Sequence, residues 1–179
     1  AYGTDSKMHD SSFGWRFINP KMQDSYGTDA MGETAENLVE AYSISREDQD
    51  AFSVWSQEKT AQAQASGYFE GEIVPVSIPQ RKKDPVVVSV DEFPKPNSSL
   101  AALAGLRPAF RKDGSVTAGN SSGLNDGAAA CLVASEAAVQ AHGLTPLARI
   151  VASAVVGVEP RTMGIGPVPA TQKALSKAG

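Results

Sequence analysis

The sequence predicts an α/β protein, on three successive observations. Residues 128–134 are small and apolar throughout, as in a strand buried on both faces. Ser135 then opens a helix that stops at His142-Gly143. Arg149 to Val158 alternates into another buried strand, and a strand–helix–strand order of this kind argues α/β layering.

The 179 residues, 41% hydrophobic, suffice for one sizeable core, or for one domain plus part of another. Sixteen basic against 20 acidic residues leave a net charge of −4, which argues against nucleic acid as the main partner. No apolar run approaches a membrane span. The polar opening Ala1-Tyr2-Gly3-Thr4-Asp5 is not a signal peptide. A start without Met and a Ser/Asp-rich lead point to an internal piece of something longer. The single cysteine permits no internal disulfide and fits a reducing, cytoplasmic location.

The elements follow in order. Residues 1–30 read as irregular, with scattered aromatics (Phe13, Trp15, Phe17, Tyr26) that need a surface elsewhere to pack on. A helix is expected from Gly32 to about Tyr42. A second begins at Ser45, where Ser45-Arg46-Glu47-Asp48 resembles a capping box, and stops at Gly67. Ala51, Phe52, Val54, Trp55, Ala61 and Ala65 are its expected buried face. Residues 72–78 read as a strand near an edge, because Pro75 removes a ladder donor. Residues 85–90 read as its neighbour, with Arg81, Lys82 and Lys83 in the turn. Pro94 and Pro96 break the chain, and a short helix runs from Ser99 to Leu106. After the strand at 149–158, residues 163–169 read as a loop and 170–178 as a last helix.

Residues 116–130 carry almost no bulk. Three glycines, two serines and two asparagines stand where a core segment would hold leucines. Such a stretch lets the backbone come close to another backbone or to a ligand. Composition alone leaves both open. The order Gly119-Asn120-Ser121-Ser122-Gly123-Leu124-Asn125-Asp126-Gly127-Ala128-Ala129 is more specific. It resembles the signature of thiolases, enzymes that make or cleave 3-oxoacyl-coenzyme A thioesters. Further segments resemble the same family in the same order: Met31 to Asn37, Ser45 to Phe52, Glu72 to Val76, Leu106 to Phe110, Pro146 to Val151 and Met163 to Ala170. The run Gly14-Trp15-Arg16-Phe17-Ile18-Asn19-Pro20 looks like the branch that cleaves 3-oxoadipyl-CoA.

The family is built of two similar α/β halves, with a loop domain inserted in the first that binds coenzyme A. The resemblance therefore implies an α+β loop domain at 1–115, the end of the first half at 116–145 and the start of the second at 146–179. It implies an acyl-CoA as substrate, coenzyme A as co-substrate, no metal, and homo-oligomeric assembly. It also implies that the nucleophilic cysteine and the later Asn, His and Cys motifs lie outside this chain. No catalytic residue is expected here. Cys131, inside an apolar run, reads as a small core residue, and His142 as a helix terminus residue. His9 sits in the irregular lead.

By resemblance, Ser122 matches a serine whose hydroxyl bonds a pantetheine amide, and Ala118 and Leu124 match apolar wall positions. Phe110 matches a side chain near the adenine and pantetheine, and Met31 and Met163 match methionines of the acyl pocket. Phe110 and Met31 read equally well as packing residues. Ala30, smaller than the residue many acetoacetyl-forming members carry, widens the implied pocket toward a longer dicarboxylic chain. Arg16 is the candidate cation for its terminal carboxylate. The implied function is degradative thiolysis. The competing readings are a non-catalytic coenzyme A-binding or assembly module, and a biosynthetic acetoacetyl-CoA thiolase.

Overall fold

A computed structural model describes Thr4, Met8 and residues 14–179 of the chain. His9 and Phe13 lie outside the described residues. The chain divides into two compact units, residues 39–125 and residues 1–38 with 126–179.

In the unit of residues 39–125, helix α3 (Arg46–Ala65) starts as its sequence dictates: the Ser45 hydroxyl accepts from the Asp48 N–H at 3.0 Å. Helix α4 (Leu100–Ala104) starts the same way, with Ser99 accepting from Ala102 N. The two helices pack together, and Leu103, Val116 and Thr117 are buried here. The inward face of α3 is only partly the expected one: Val54 and Ala61 are half-buried, while Ala51 and Ala65 are exposed. Asp50 is its buried residue, while Phe52 and Trp55 remain 66% and 52% exposed. These two rings lie tilted against each other at 5.8 Å, and the Lys59 ammonium sits 4.0 Å over the Trp55 ring.

Strands β1 (Val76–Ile78) and β2 (Val86–Val88) pair antiparallel, Val76 with Val88 and Ile78 with Val86. They are shorter than the runs at 72–78 and 85–90 suggested. Pro75 and Pro85 stand immediately before each strand, and neither can donate to a ladder. Arg81, Lys82 and Lys83 between the strands are exposed.

In the other unit, a helix not expected from the sequence, α1 (Pro20–Tyr26), occupies part of the segment read as irregular. Asn19 caps it, accepting from Lys21 N at 3.0 Å, and Pro20 fills the first turn where its missing N–H costs nothing. Helix α2 (Met31–Tyr42) begins in this unit and crosses the division between the two. Helix α5 (Glu136–His142) is capped by Ser135 and closed by Gly143 in the left-handed region, φ 60°. Residues Pro160–Ile165 form a 3-10 turn where a loop was expected, and α6 (Pro167–Ala178) begins earlier than read, with Pro167 in its first turn.

The strands expected at 128–134 and 149–158 are not formed. Both segments are free of assigned secondary structure and pair with no strand among the described residues. Residues 151–158 still alternate between exposed and half-buried, so the period of two is present without a ladder. Lys173 and Lys177 of α6 donate to Val155 O and Ser153 O, at 3.1 and 2.9 Å. Cys131, expected in a core, is exposed. The reason is common to all three: a strand is completed by its neighbours, and a residue on it is buried only when they are there.

Candidate functional site

The low-bulk stretch begins with a tightly bonded turn. Thr117 is fully buried, and its hydroxyl oxygen accepts from Gly119 N and Asn120 N at 3.2 and 3.3 Å. Asn120 answers with its side chain: Oδ1 accepts from Thr117 N at 2.7 Å, and Nδ2 donates to Ser115 O and to Asp50 Oδ1, both at 3.0 Å. The other Asp50 oxygen takes the Arg46 Nε at 2.8 Å, one helical turn away. Arg46 also donates to the carbonyls of Leu103 and Leu106. A buried carboxylate is thus paired, hydrogen-bonded on both oxygens, and tied to the loop. Sequence reading missed this network. The Arg46/Asp50 spacing was a signal for the helix pair, but nothing in it points to Asn120.

Two glycines of the signature are explained by protein packing. A Cβ on Gly119 would stand 2.5 Å from Leu106 Cδ1, and one on Gly123 would run into the Phe93 ring. Their lack of side chain makes room for Leu103, Leu106 and Phe93. Beyond them the chain opens outward. Ala118 and Ser122 are exposed, Leu124 is 73% exposed and Phe110 38%. Among the described residues the Ser122 hydroxyl makes no hydrogen bond. The four residues Ala118, Ser122, Leu124 and Phe110 therefore share one unit, with Ser122 displayed on an anchored turn.

Met31 and Met163 belong to the other unit. Met31 is 70% exposed at the first turn of α2. Met163 lines a cleft of about 180 Å³, mostly apolar, together with Trp15, Met22, Tyr26, Asp29 and Arg161. Met31 is not part of that lining. Arg161 Nε donates to Asp29 Oδ2 at 2.9 Å. Asn37 Nδ2 donates to the same carboxylate oxygen and to Arg161 O, each at 2.8 Å. Arg16 does not line the cleft; its Nη1 reaches Gly14 O at 3.4 Å. No group of three or more metal-ligating side chains occurs among the described residues, and no helix there is long and apolar enough to cross a membrane.

Comparison with known proteins agrees with these segments in order. Residues 4–137 match the family model for the thiolase N-terminal domain, and residues 144–179 that for the thiolase C-terminal domain. The beta-ketoadipyl-CoA thiolase of Acinetobacter baylyi is 54% identical over 99% of the chain, and an acetyl-CoA acetyltransferase of Chromobacterium violaceum is 56% identical over 90% of it. The chain spans 44% and 41% of the lengths of these two relatives. The crystal structure of the Bacillus anthracis acetyl-CoA acetyltransferase superposes with a TM-score of 0.83 at 46% identity, covering 99% of this chain and 44% of that one. The chain belongs to the thiolase family.

Proposed function

We propose that the full-length protein containing this chain is a degradative thiolase, acting on 3-oxoadipyl-CoA. Free coenzyme A would cleave it to acetyl-CoA and a shortened acyl-CoA through an acyl-cysteine intermediate. The nucleophilic cysteine breaks the bond between C2 and C3 of the substrate and keeps the shortened acyl group. C2 leaves as acetyl-CoA after taking a proton, and the coenzyme A thiol then accepts the acyl group. These reacting groups lie outside the present residues. This chain supplies positioning: Ser122 for a pantetheine amide, Ala118, Leu124 and Phe110 beside the arm, and Met31 and Met163 toward the acyl group. Holding a flexible substrate in place is a large part of such a rate.

The observation that carries the reading is the ordered identity, 54% over nearly the whole chain, to a relative named for beta-ketoadipyl-CoA. The exposed Ser122 on its bonded turn supports the assigned role. Homo-oligomeric assembly and a cytoplasmic location complete the proposal. The test is thiolysis of 3-oxoadipyl-CoA by the purified full-length protein, with acetyl-CoA measured by mass spectrometry. The present chain alone is expected to be inactive. Turnover by the chain alone, abolished in Cys131→Ala, would refute the assignment of catalysis elsewhere. A second reading, acetoacetyl-CoA synthesis, has the 56% identical acetyltransferase behind it. A higher kcat/KM for acetoacetyl-CoA than for 3-oxoadipyl-CoA would favour it.

A further inference from the structure

Arg161 is the one cation among the described residues lining the cleft, and its surroundings leave part of its guanidinium unused. Its stem passes over Gly27, where an added Cβ would meet Arg161 Cδ at 3.4 Å. Its Nε is bonded to Asp29, and its backbone carbonyl accepts from Asn37. Asn37 fixes Asp29 in turn, so Asp29, Asn37 and Arg161 close a triangle. Among the described residues neither Nη atom has a hydrogen-bond partner, and the side chain is 60% exposed. A guanidinium held through Nε keeps its Nη1–Nη2 edge for a second planar anion, and that edge matches a carboxylate in two parallel bonds. The ordering cost has already been met by Asp29 and Gly27. Trp15, Met22, Tyr26 and Met163 give the wall apolar surface of the kind a methylene chain needs, beside Thr28 and Thr34.

We infer that Arg161, oriented by Asp29, receives the distal carboxylate of a dicarboxylic 3-oxoacyl chain and so sets the acyl specificity. The inference rests on the thiolysis reading and places in Arg161 the role that the sequence suggested for Arg16. Asp29 also limits the effect. Its charge offsets that of Arg161, so discrimination comes from the paired hydrogen bonds more than from net attraction. A chain ending in a methyl group would cover the ion pair without bonding it, and an unpaired polar group at a binding site is costly.

The test compares 3-oxoadipyl-CoA with 3-oxohexanoyl-CoA, equal in length but uncharged at the end, in the full-length protein. The wild type should prefer the dicarboxylic substrate. Arg161→Ala should lower the ratio of kcat/KM values about tenfold, as expected for losing a partly exposed charged hydrogen-bonded pair, and chiefly through KM for the charged substrate. If the alanine variant does not fold, Arg161→Gln keeps the stem over Gly27 and a bond to Asp29, and should lower the ratio similarly. An unchanged ratio in a folded, active variant overturns the inference and leaves the thiolysis reading standing. A wild type that cleaves neither substrate removes both.

Discussion

Thr117 gives the signature turn its shape through one oxygen. The hydroxyl accepts from two backbone N–H groups while the residue is wholly buried. Valine would keep the volume and delete the acceptor, leaving those donors without a partner, at a cost of about 1–3 kcal/mol. Serine would keep the acceptor and lose a methyl group, at roughly 1 kcal/mol. In urea unfolding of the full-length protein, Thr117→Val should therefore lower the midpoint more than Thr117→Ser. The reverse order would mean that the methyl group, not the hydroxyl, is what position 117 supplies. Gly123 poses a steric question instead, because a Cβ there collides with the Phe93 ring. Gly123→Ala should destabilise by about 1–3 kcal/mol, and adding Phe93→Leu should recover part of the loss. Strictly additive effects in that double-mutant cycle would rule out the collision as the cause.

Helix α3 shows which elements a sequence displays and which it hides. Its start is local chemistry: Ser45 accepts from Asp48 N, and Ser45→Ala should cost about 1 kcal/mol by thermal melting of the full-length protein. A melting point unchanged by that substitution would make the cap ornamental. Ser99 and Ser135 cap α4 and α5 by the same rule, with Ala102 N and Ala138 N as donors, and all three starts were legible. The Asn19-Pro20 start of α1 obeys similar chemistry but was masked by the glycine- and serine-rich composition around it. The buried face of α3 was not legible, because hydrophobicity pointed to Phe52 and Trp55. Asp50 goes inward only because Arg46 and Asn120 meet it there, and Asn120 lies 70 residues away. The site divides the same way. The order of the signature singles out Ser122, and the Met163 segment is equally recognisable. The bond between Arg161 and Asp29, separated by 132 residues, leaves no trace in either segment.

The largest gap between sequence and structure, the two missing strands, belongs to the molecule as a whole. Leu132, Leu147, Ile150, Val151 and Val155 are between 70% and 100% exposed, on segments whose backbone pairs with no strand among the described residues. Apolar surface and unpaired backbone on the same segments are what β-pairing with another chain requires. Taken alone, the chain should therefore self-associate, giving a mass above 18.7 kDa by light scattering at micromolar concentration. The two-half architecture that the resemblance implies predicts that strands elsewhere in the full-length protein pair with 128–134 and 149–158. Amide exchange of those residues should then slow by orders of magnitude relative to the chain alone, since pairing makes exchange depend on sub-global opening. Lys173→Ala and Lys177→Ala should leave that protection largely in place, because their bonds to Val155 and Ser153 are exposed and the ladder would hold the segment without them. A monodisperse monomer with slow exchange at 149–158 in the chain alone would show that these segments need no added strands.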